Sequence, residues 1–194
     1  MKKGALVFIV AIVLLAVWGV SKYNGIVSEE EKTSTAWGQV ENAYQRRADL
    51  IPNLVETVKG YAAHEEKTLT EVIEARANAT AVKVDPANVT EETLKQFSAA
   101  QGDLTAALSR LIAVRESYPD LKANQNFLEL QAQLEGTENR ITVARNDFNK
   151  AARDFNTTIR QFPGNIVAKL CGFSTKAYFQ AEEGARKAPK VSFE

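Results

Sequence analysis

The 194-residue sequence has one cysteine, Cys171, and one histidine, His64. A single cysteine excludes an internal disulfide, and a single histidine excludes any site that needs two imidazole groups. The chain also has only five prolines and ten glycines, so few positions interrupt regular structure. No stretch alternates apolar and polar residues for long enough to indicate a half-buried strand. These absences favour helix over sheet.

The sequence also lacks an excess of either positive or negative charge. The chain has 24 Lys and Arg residues against 24 Asp and Glu residues. A near-neutral domain has little attraction for phosphate backbones, so we expect no generic nucleic-acid binding. Hydrophobic residues make up 45 % of the chain, which is enough for one domain of this length to bury a core.

An uncharged run from Gly4 to Val20 follows the basic start of the chain. At 1.5 Å per residue this run spans about 25 Å, near the lower limit for crossing a bilayer. Trp18 and Tyr23 would lie at the far interface, where amphipathic rings are favoured. We therefore interpret residues 1–23 as an N-terminal transmembrane helix. A cleaved signal peptide is the alternative, although an Ala-x-Ala cleavage site is missing.

Charges on either side of this anchor predict its orientation. Lys2 and Lys3 precede the span, whereas Lys22 and then the acidic run 29–31 follow it. By the positive-inside rule, the N-terminus stays in the cytoplasm and the rest of the chain lies outside.

Beyond the anchor, apolar residues recur at a spacing near 3.5 residues, as left-handed helical bundles require. The first such stripe includes Trp37, Val40, Tyr44, Ile51, Leu54 and Val58. Turn signals at Asp85-Pro86 and Pro119 separate the stripes. The pattern predicts an all-α domain, an antiparallel up-down four-helix bundle with long first and last helices. It occupies residues 28–162, with helices at about 28–63, 66–82, 90–117 and 119–162.

Two residues disturb the first predicted helix. Pro52 removes a backbone donor and predicts a helix kink. Arg47 occupies a position on the apolar stripe, and a buried charge needs a partner. If the first and last helices run antiparallel, Arg47 lies level with about Val143, between the charged interruptions Glu138 and Arg145.

We expect Arg47 to pair with Glu138 across the bundle. The other members of this candidate buried polar cluster are Asp49, Asn53, Arg145 and Asn146. Such a cluster could fix the register of the helices at some cost in stability. The alternative is a functional polar pocket at the Pro52 kink, for a ligand or a proton.

Three segments carry a resemblance to a known family: YQRRADLIPNLVETVKGYAAHE, ESYPDLKANQNFLELQAQLEGTENRITVARNDFN and FPGNIVAKLCGF. Together they resemble the LemA family of bacterial membrane proteins, over nearly the whole chain to about Phe179. The resemblance implies a membrane segment followed by a helical bundle, with no established enzymatic activity. The family's recurring polar residues match Arg46, Arg47, Asn53, Glu138, Arg145 and Asn149. The family's Tyr-Asn pairs in the last helix are Phe148-Asn149 and Phe155-Asn156 here, without the phenolic hydroxyls.

Patterns that carry catalysis or bind metals are missing from the sequence. A ferritin-like carboxylate site needs Glu-x-x-His, but Tyr61 stands three residues before His64. Cys171 and His64 come from opposite ends of the predicted fold, so cysteine–histidine chemistry is not expected. Neither a dinucleotide-binding glycine motif nor a P-loop occurs. We therefore predict no enzymatic activity, no cofactor and no metal.

The C-terminal part of the chain divides in two. Residues 163–179 carry several apolar side chains, and they either cap the bundle core or rest on the lipid surface as an interfacial element. Only Lys169 and Lys176 supply basic charge there, which favours capping. Residues 180–194 have low hydrophobicity, which predicts a disordered tail.

The predicted function is a non-enzymatic scaffold, assembly or protein-interaction module in the bacterial cell membrane. Anchoring by a single pass raises the effective concentration for lateral association, so weak contacts with a partner protein or a second copy suffice. One alternative is an accessory subunit of an envelope protease or signalling system. Another is a small-ligand or lipid carrier that uses a pocket at the Pro52 kink.

Overall fold

The computed structural model describes residues 3–180, and over that range it contains helices and no strand. The all-α prediction is therefore confirmed. The predicted disordered tail lies outside the described residues, apart from Gln180. The helices are α1 (Lys3–Tyr61), α2 (Glu66–Ala81), α3 (Glu91–Ala113), α4 (Pro119–Lys122), α5 (Gln125–Arg160) and α6 (Gly164–Cys171), with 3₁₀ turns at Pro86–Asn88 and Val114–Ser117.

Helix α1 joins the apolar N-terminal run to the folded domain without a break. Its 59 residues extend over about 90 Å at 1.5 Å per residue. The predicted anchor ends at residue 23 and the predicted bundle begins at residue 28, whereas α1 runs through both without interruption. A lone glycine such as Gly25 costs only about 1 kcal/mol inside a helix, too little to end one. Within residues 3–180, α1 alone is long and apolar enough to cross a membrane, and none of its apolar window is buried.

Helices α1 and α5 pack side by side in opposite directions. Trp37 of α1 meets the ring of Phe148 with a centroid separation of 5.2 Å. Further along α1, Arg47 meets Glu138. Residue numbers therefore rise along one helix as they fall along the other.

Helices α2 and α3 form a second antiparallel pair. The Arg110 guanidinium donates to the Glu71 carboxylate near one end of the pair. The Gln101 amide donates to the Ala79 carbonyl near the other end. Side chains of α2 and α3 also enter the clusters that α1 and α5 bury.

Two predicted helices differ from the structure at their ends. The third is α-helical only to Ala113 and then continues as a 3₁₀ turn to Ser117. The last, predicted as 119–162, is two helices. The Asn124 side chain accepts a hydrogen bond from the backbone N–H of Phe127 at 2.9 Å, and this N-cap starts α5 as a separate helix.

Buried side chains form three clusters in succession along the bundle. The distal core is mainly aliphatic and includes Leu54, Val58, Leu104, Leu111 and Leu134. The middle core is aromatic and includes Trp37, Tyr44, Phe97, Phe148 and Phe179. The proximal core, nearest the apolar run of α1, consists of Ile26, Phe155, Ile159, Val167 and Ala168.

Candidate functional site

The guanidinium of Arg47 lies inside the bundle, with only 1 % of the residue exposed. Its Nη1 donates to Glu138 Oε1 at 2.7 Å and to Thr105 Oγ1 at 2.9 Å. Its Nη2 donates to Gln101 Oε1 at 2.6 Å. These charge-assisted hydrogen bonds offset most of the free-energy cost of burying the Arg47 guanidinium. The structure thus brings together the two predicted partners, Arg47 and Glu138.

Gln101 extends this network to the end of α2. Its amide donates to the carbonyl of Ala79 at 3.1 Å, two residues before the last residue of α2, where helix carbonyls lack internal partners. Side chains therefore connect α1 with α3 and α5, and α3 with α2, at one level of the bundle.

Burial also affects the phenol of Tyr44, which lies beside this network. Arginine stays protonated throughout the ordinary pH range. Burial raises the pKa of the Tyr44 phenol, and the nearby guanidinium groups of Arg145 and Arg47 oppose that rise. The Tyr44 ring also lies 5.1 Å from the Arg47 guanidinium carbon, in cation–π contact. The raised pKa keeps the Tyr44 phenol neutral near pH 7.

Pro52 sits inside α1 without ending it. Because proline lacks an N–H, it leaves the carbonyl four residues earlier, at Ala48, without its helical partner. Arg76 of α2 supplies the missing donor, since its Nε lies 2.8 Å from the Ala48 oxygen. The proline therefore provides an attachment point for α2.

A shallow cleft of about 250 Å³ lies beside the network, where α1 faces α3 and the end of α2. Its lining includes Tyr44, Ala48, Thr80 and Gln101, but neither Arg47 nor Pro52. The cleft is therefore a different place from the polar pocket that the sequence predicts at the Pro52 kink.

The remaining predicted members of the cluster lie elsewhere. Asp49, Asn53 and Asn146 are exposed, and Asp49 accepts a hydrogen bond from Gln45 on the surface. Residues two apart in a helix face different sides, so Asp49 cannot share the buried face of Arg47. The register also differs from the prediction, because Arg47 is level with Glu138 and not with Val143.

Arg145, the other charged interruption, belongs to a different contact. Its guanidinium lies 4.7 Å from the ring centroid of Phe179 and donates to the Gln180 carbonyl at 3.1 Å. Both partners come from residues 173–180, which follow α6 as an irregular segment against α5. We call this segment the strap.

Two asparagines of α5 hold the strap by its backbone. Asn156 accepts from the N–H of Lys176 and donates to its carbonyl, both at 2.8 Å. Asn149, one heptad earlier, makes the same pair of bonds with Phe179, at 2.8 and 2.9 Å. The strap thereby inserts Phe179 into the middle core. Phe179 therefore closes part of the middle core from outside the long helices.

Lys176 is a second buried cation. Its Nζ donates to Glu30 Oε1 at 3.0 Å and to the carbonyl of Ala87, and it lies 5.2 Å from the Phe155 ring centroid. The strap is therefore tied through this ammonium group to α1 and to the 3₁₀ turn before α3. Lys176, expected from the sequence to supply basic charge at the surface, is instead buried.

The single histidine and the single cysteine are far apart. His64 follows the C-terminal end of α1, whereas Cys171 ends α6, which packs at the level of Ile26. The rise along α1 from residue 26 to residue 61 is about 50 Å. In the part of the chain that the structure describes, no group of three or more His, Cys, Asp and Glu side chains could hold a metal ion.

A family model described as the LemA family matches residues 36–193. The chain belongs to the LemA family. Two relatives, magnetosome proteins MamQ 1 and MamQ 2 of Paramagnetospirillum magneticum, are each 30 % identical over 188 residues, covering 88 % of this chain and 69 % of theirs. Protein LemA of Metamycoplasma hominis is 26 % identical over 178 residues, covering 92 % of this chain and 78 % of its own length.

The polar residues that the LemA resemblance singled out serve two separate contacts here. Arg47 and Glu138 join the helices, whereas Arg145 and Asn149 hold the strap. The other two lie at the surface, where Arg46 donates to Gln133 at 3.4 Å and Asn53 is exposed.

Gln101 and Asn156 have structural roles that the sequence pattern did not predict. Gln101 interrupts the apolar stripe of the third helix, as Arg47 does in the first, and these matching interruptions could have indicated a contact. Asn156 follows a core phenylalanine one heptad after Asn149 does the same. In this LemA family member, therefore, the asparagine of each Phe-Asn pair binds the strap while the phenylalanine packs inside.

Proposed function

We propose that this LemA family protein is a non-enzymatic, single-pass membrane protein of the bacterial cell envelope that serves as a scaffold or protein-interaction module. Its N-terminus is cytoplasmic, and α1, α2, α3 and α5 form an up-down four-helix bundle on the opposite side. The observation that supports this most is the continuity of α1 from an exposed apolar run into a packed domain. A helix without a joint holds the bundle at a fixed distance from the membrane, as display to a partner requires.

The interior charges support a binding role over catalysis. Of the buried polar residues within 3–180, the two cations are Arg47 and Lys176. Each donates to a carboxylate and to further oxygen acceptors. Groups held by several structural partners fix the arrangement of the helices and are poorly placed to act on a substrate.

Exposed apolar side chains on the outer helix faces are the proposed contact points. Ile73 of α2 and Val143 of α5 are both exposed. A photo-crosslinking amino acid at either position, in the full chain in native membranes, is expected to give a discrete adduct. The same group at Leu54, which is fully buried, is the matched control and gives none. Absence of any adduct from both exposed positions would contradict the proposal.

The adduct mass also distinguishes the forms of the proposal. A product of two copies indicates self-association, whereas a stable hetero-adduct that co-purifies in detergent indicates an accessory subunit of an envelope protease or signalling system. Orientation is tested by an alkaline phosphatase fusion after Glu194, which we expect to be active. A fusion that is inactive there but active at the N-terminus would reverse the orientation.

The carrier hypothesis has less support. The cleft of about 250 Å³ beside Tyr44 is smaller than the usual range for small-molecule pockets, roughly 300–1,000 Å³. Arg47, which would have recognised an anionic ligand, is not part of its lining. The cleft therefore gives a ligand little to bind.

A further inference from the structure

Three large apolar side chains project from the proximal end of the bundle into solvent. Phe162 lies in the turn before α6 and is 80 % exposed, while Ile166 and Leu170, one helical turn apart on α6, are 47 % and 81 % exposed. We call these three residues the collar. The opposite face of α6 packs into the proximal core through Val167 and Ala168. Helix α6 is therefore apolar on both faces, and the bundle covers only one of them.

The position of α6 along α1 places the collar beside the apolar run. Phe173, just after α6, lies against Tyr23 with ring centroids 5.8 Å apart, and Val167 shares a cluster with Ile26. Tyr23 comes three residues after Val20, the last residue of the uncharged run, which is about 4.5 Å at 1.5 Å per residue. The headgroup layer on each side of the hydrocarbon is about 5–7 Å thick. The collar thus lies at the depth of that layer.

The surroundings of the collar suit a lipid surface. α1 continues through this level without a break, so no linker lets α6 move away from the bilayer. Lys22 on α1 and Lys169 on α6 are both exposed and can bind anionic headgroups. Aromatic rings such as Tyr23 are favoured at the same interface.

We infer that the collar is a second membrane contact, in which Phe162, Ile166 and Leu170 enter the boundary between headgroups and acyl chains next to the anchor. The inference rests on the membrane anchoring proposed above. Two contacts with one leaflet, the span and the collar, fix the tilt of the bundle as well as its distance. The segment 163–179 then combines both predicted alternatives, since the strap caps the core while α6 rests on lipid.

The native Cys171 offers a direct test, because it is the only cysteine of the chain, it is exposed and it is adjacent to Leu170. The full chain is labelled there with the fluorophore NBD and reconstituted in phosphatidylethanolamine–phosphatidylglycerol vesicles that carry nitroxide lipids. The matched control is the Cys171→Ser, Ser117→Cys variant, which places the label in the exposed turn at the distal end. We expect several-fold stronger nitroxide quenching and a blue-shifted emission at position 171 relative to position 117.

The inference would be overturned if aqueous iodide quenched the label at Cys171 as strongly as the label at position 117, and if the nitroxide lipids did not quench the label at Cys171. Flotation of the same vesicles separates this result from a failure of anchoring, in which the protein does not float at all. In a second variant, Ile166→Gln with Leu170→Gln, nitroxide quenching at Cys171 should fall several-fold, whereas Leu128→Gln, at an exposed apolar position near the distal end of α5, should leave it unchanged. Equal quenching in both variants would also contradict a contact through the collar.

Discussion

The distal and middle cores are built in different ways. Most of the distal core consists of aliphatic side chains at heptad spacing, and it contains no residue of the strap. In the middle core, the Trp37 ring contacts Phe97, Phe148 and Phe179 at centroid distances of 5.4, 5.2 and 5.9 Å. Phe179 belongs to the strap, so this core is incomplete until residues well beyond the long helices are in place. One part of the bundle is therefore specified locally, and the other depends on a segment held by two asparagines.

The Arg47 network lies between these two cores. Tyr44 belongs to the middle core, whereas Ala48 contacts Arg76 and Leu50 belongs to the distal core. A polar layer that is satisfied in only one register prevents the helices from sliding past one another. This is the register interpretation of the candidate cluster, and the geometry supports it better than a ligand site.

The largest expected effect comes from opening the middle core with Phe148→Ala. Phe148 is fully buried and contacts Trp37 and Phe179, so the substitution leaves a cavity under the strap. We expect the free energy of unfolding to fall by about 4 kcal/mol, as measured by urea denaturation of the full chain in detergent micelles.

Leu54→Ala is the matched substitution in the distal core, and it should lower the free energy of unfolding by about 3 kcal/mol. The two variants should differ in the strap. In Phe148→Ala, hydrogen exchange at the Phe179 amide should accelerate by more than the decrease in the free energy of global unfolding explains. In Leu54→Ala, the acceleration should match that decrease. Equal local opening in both variants would show that the two cores do not differ as described.

Between the cores, removal of Glu138 should cost more than removal of Arg47. Glu138→Ala leaves a guanidinium buried without its carboxylate, so we expect a loss of about 3 kcal/mol. Arg47→Met leaves a carboxylate that is 44 % exposed and can return to water, with the unpaired Gln101 amide costing about 1–2 kcal/mol. Urea denaturation of both variants measures the two losses in the free energy of unfolding. A larger loss in Arg47→Met than in Glu138→Ala would contradict the described hydrogen bonds of Arg47.

The double variant sharpens this result. With Arg47→Met in place, Glu138→Ala should add little, because the charge that it would have stranded is gone. Additive losses would mean that the two side chains contribute independently despite their 2.7 Å contact.

The distal core and the Arg47–Glu138 pair could be predicted because both follow from helical periodicity. Apolar residues at heptad spacing define the first, and charged interruptions on two facing stripes define the second. The predicted alignment of α1 against α5 was less accurate, since Arg47 faces Glu138 and not Val143. Spacing gives the period of a helix, but the turns at its ends fix the alignment, and the Asn124 N-cap was not recognised.

The strap could not be predicted from periodicity. Asparagine side chains bind it through its backbone N–H and carbonyl groups, which every residue has, so its own sequence carries little of the signal. Lys176 gave a misleading signal, because a lysine near a chain end normally indicates solvent and not a buried ion pair with Glu30. Long-range pairing of this kind leaves no pattern within a single helix.

A smaller effect is expected when the strap alone is released by Asn156→Ala. The substitution leaves the N–H and carbonyl of Lys176 without partners, which should cost about 2 kcal/mol. Asn146→Ala, at an exposed asparagine of the same helix, should change stability by less than about 0.5 kcal/mol. Hydrogen exchange at the Lys176 amide measures the release directly, and protection equal to that in Asn146→Ala would show that Asn156 does not hold the strap.

The smallest effect is expected from an ion pair outside all the cores. Glu116, in the exposed turn after α3, accepts from Lys122 Nζ at 2.7 Å and from Arg115 Nε at 3.1 Å. These hydrogen bonds, that from Lys122 foremost, hold the pKa of Glu116 below its ordinary value. Because the folded-state pKa is the lower one, the contribution to stability is present above the unfolded-state pKa and is lost as the pH falls through the folded-state pKa.

Water screens this pair, so Glu116→Gln should leave the free energy of unfolding unchanged within error, unlike Glu138→Ala. The pKa itself remains measurable by NMR titration, and Lys122→Gln or high salt should raise it toward the ordinary value. A pKa of Glu116 that does not respond to Lys122→Gln would mean that the contact is not made in solution. The same pairing chemistry thus stabilises the fold only where the bundle excludes water, which is why Arg47 and Lys176 matter to the fold and Glu116 does not.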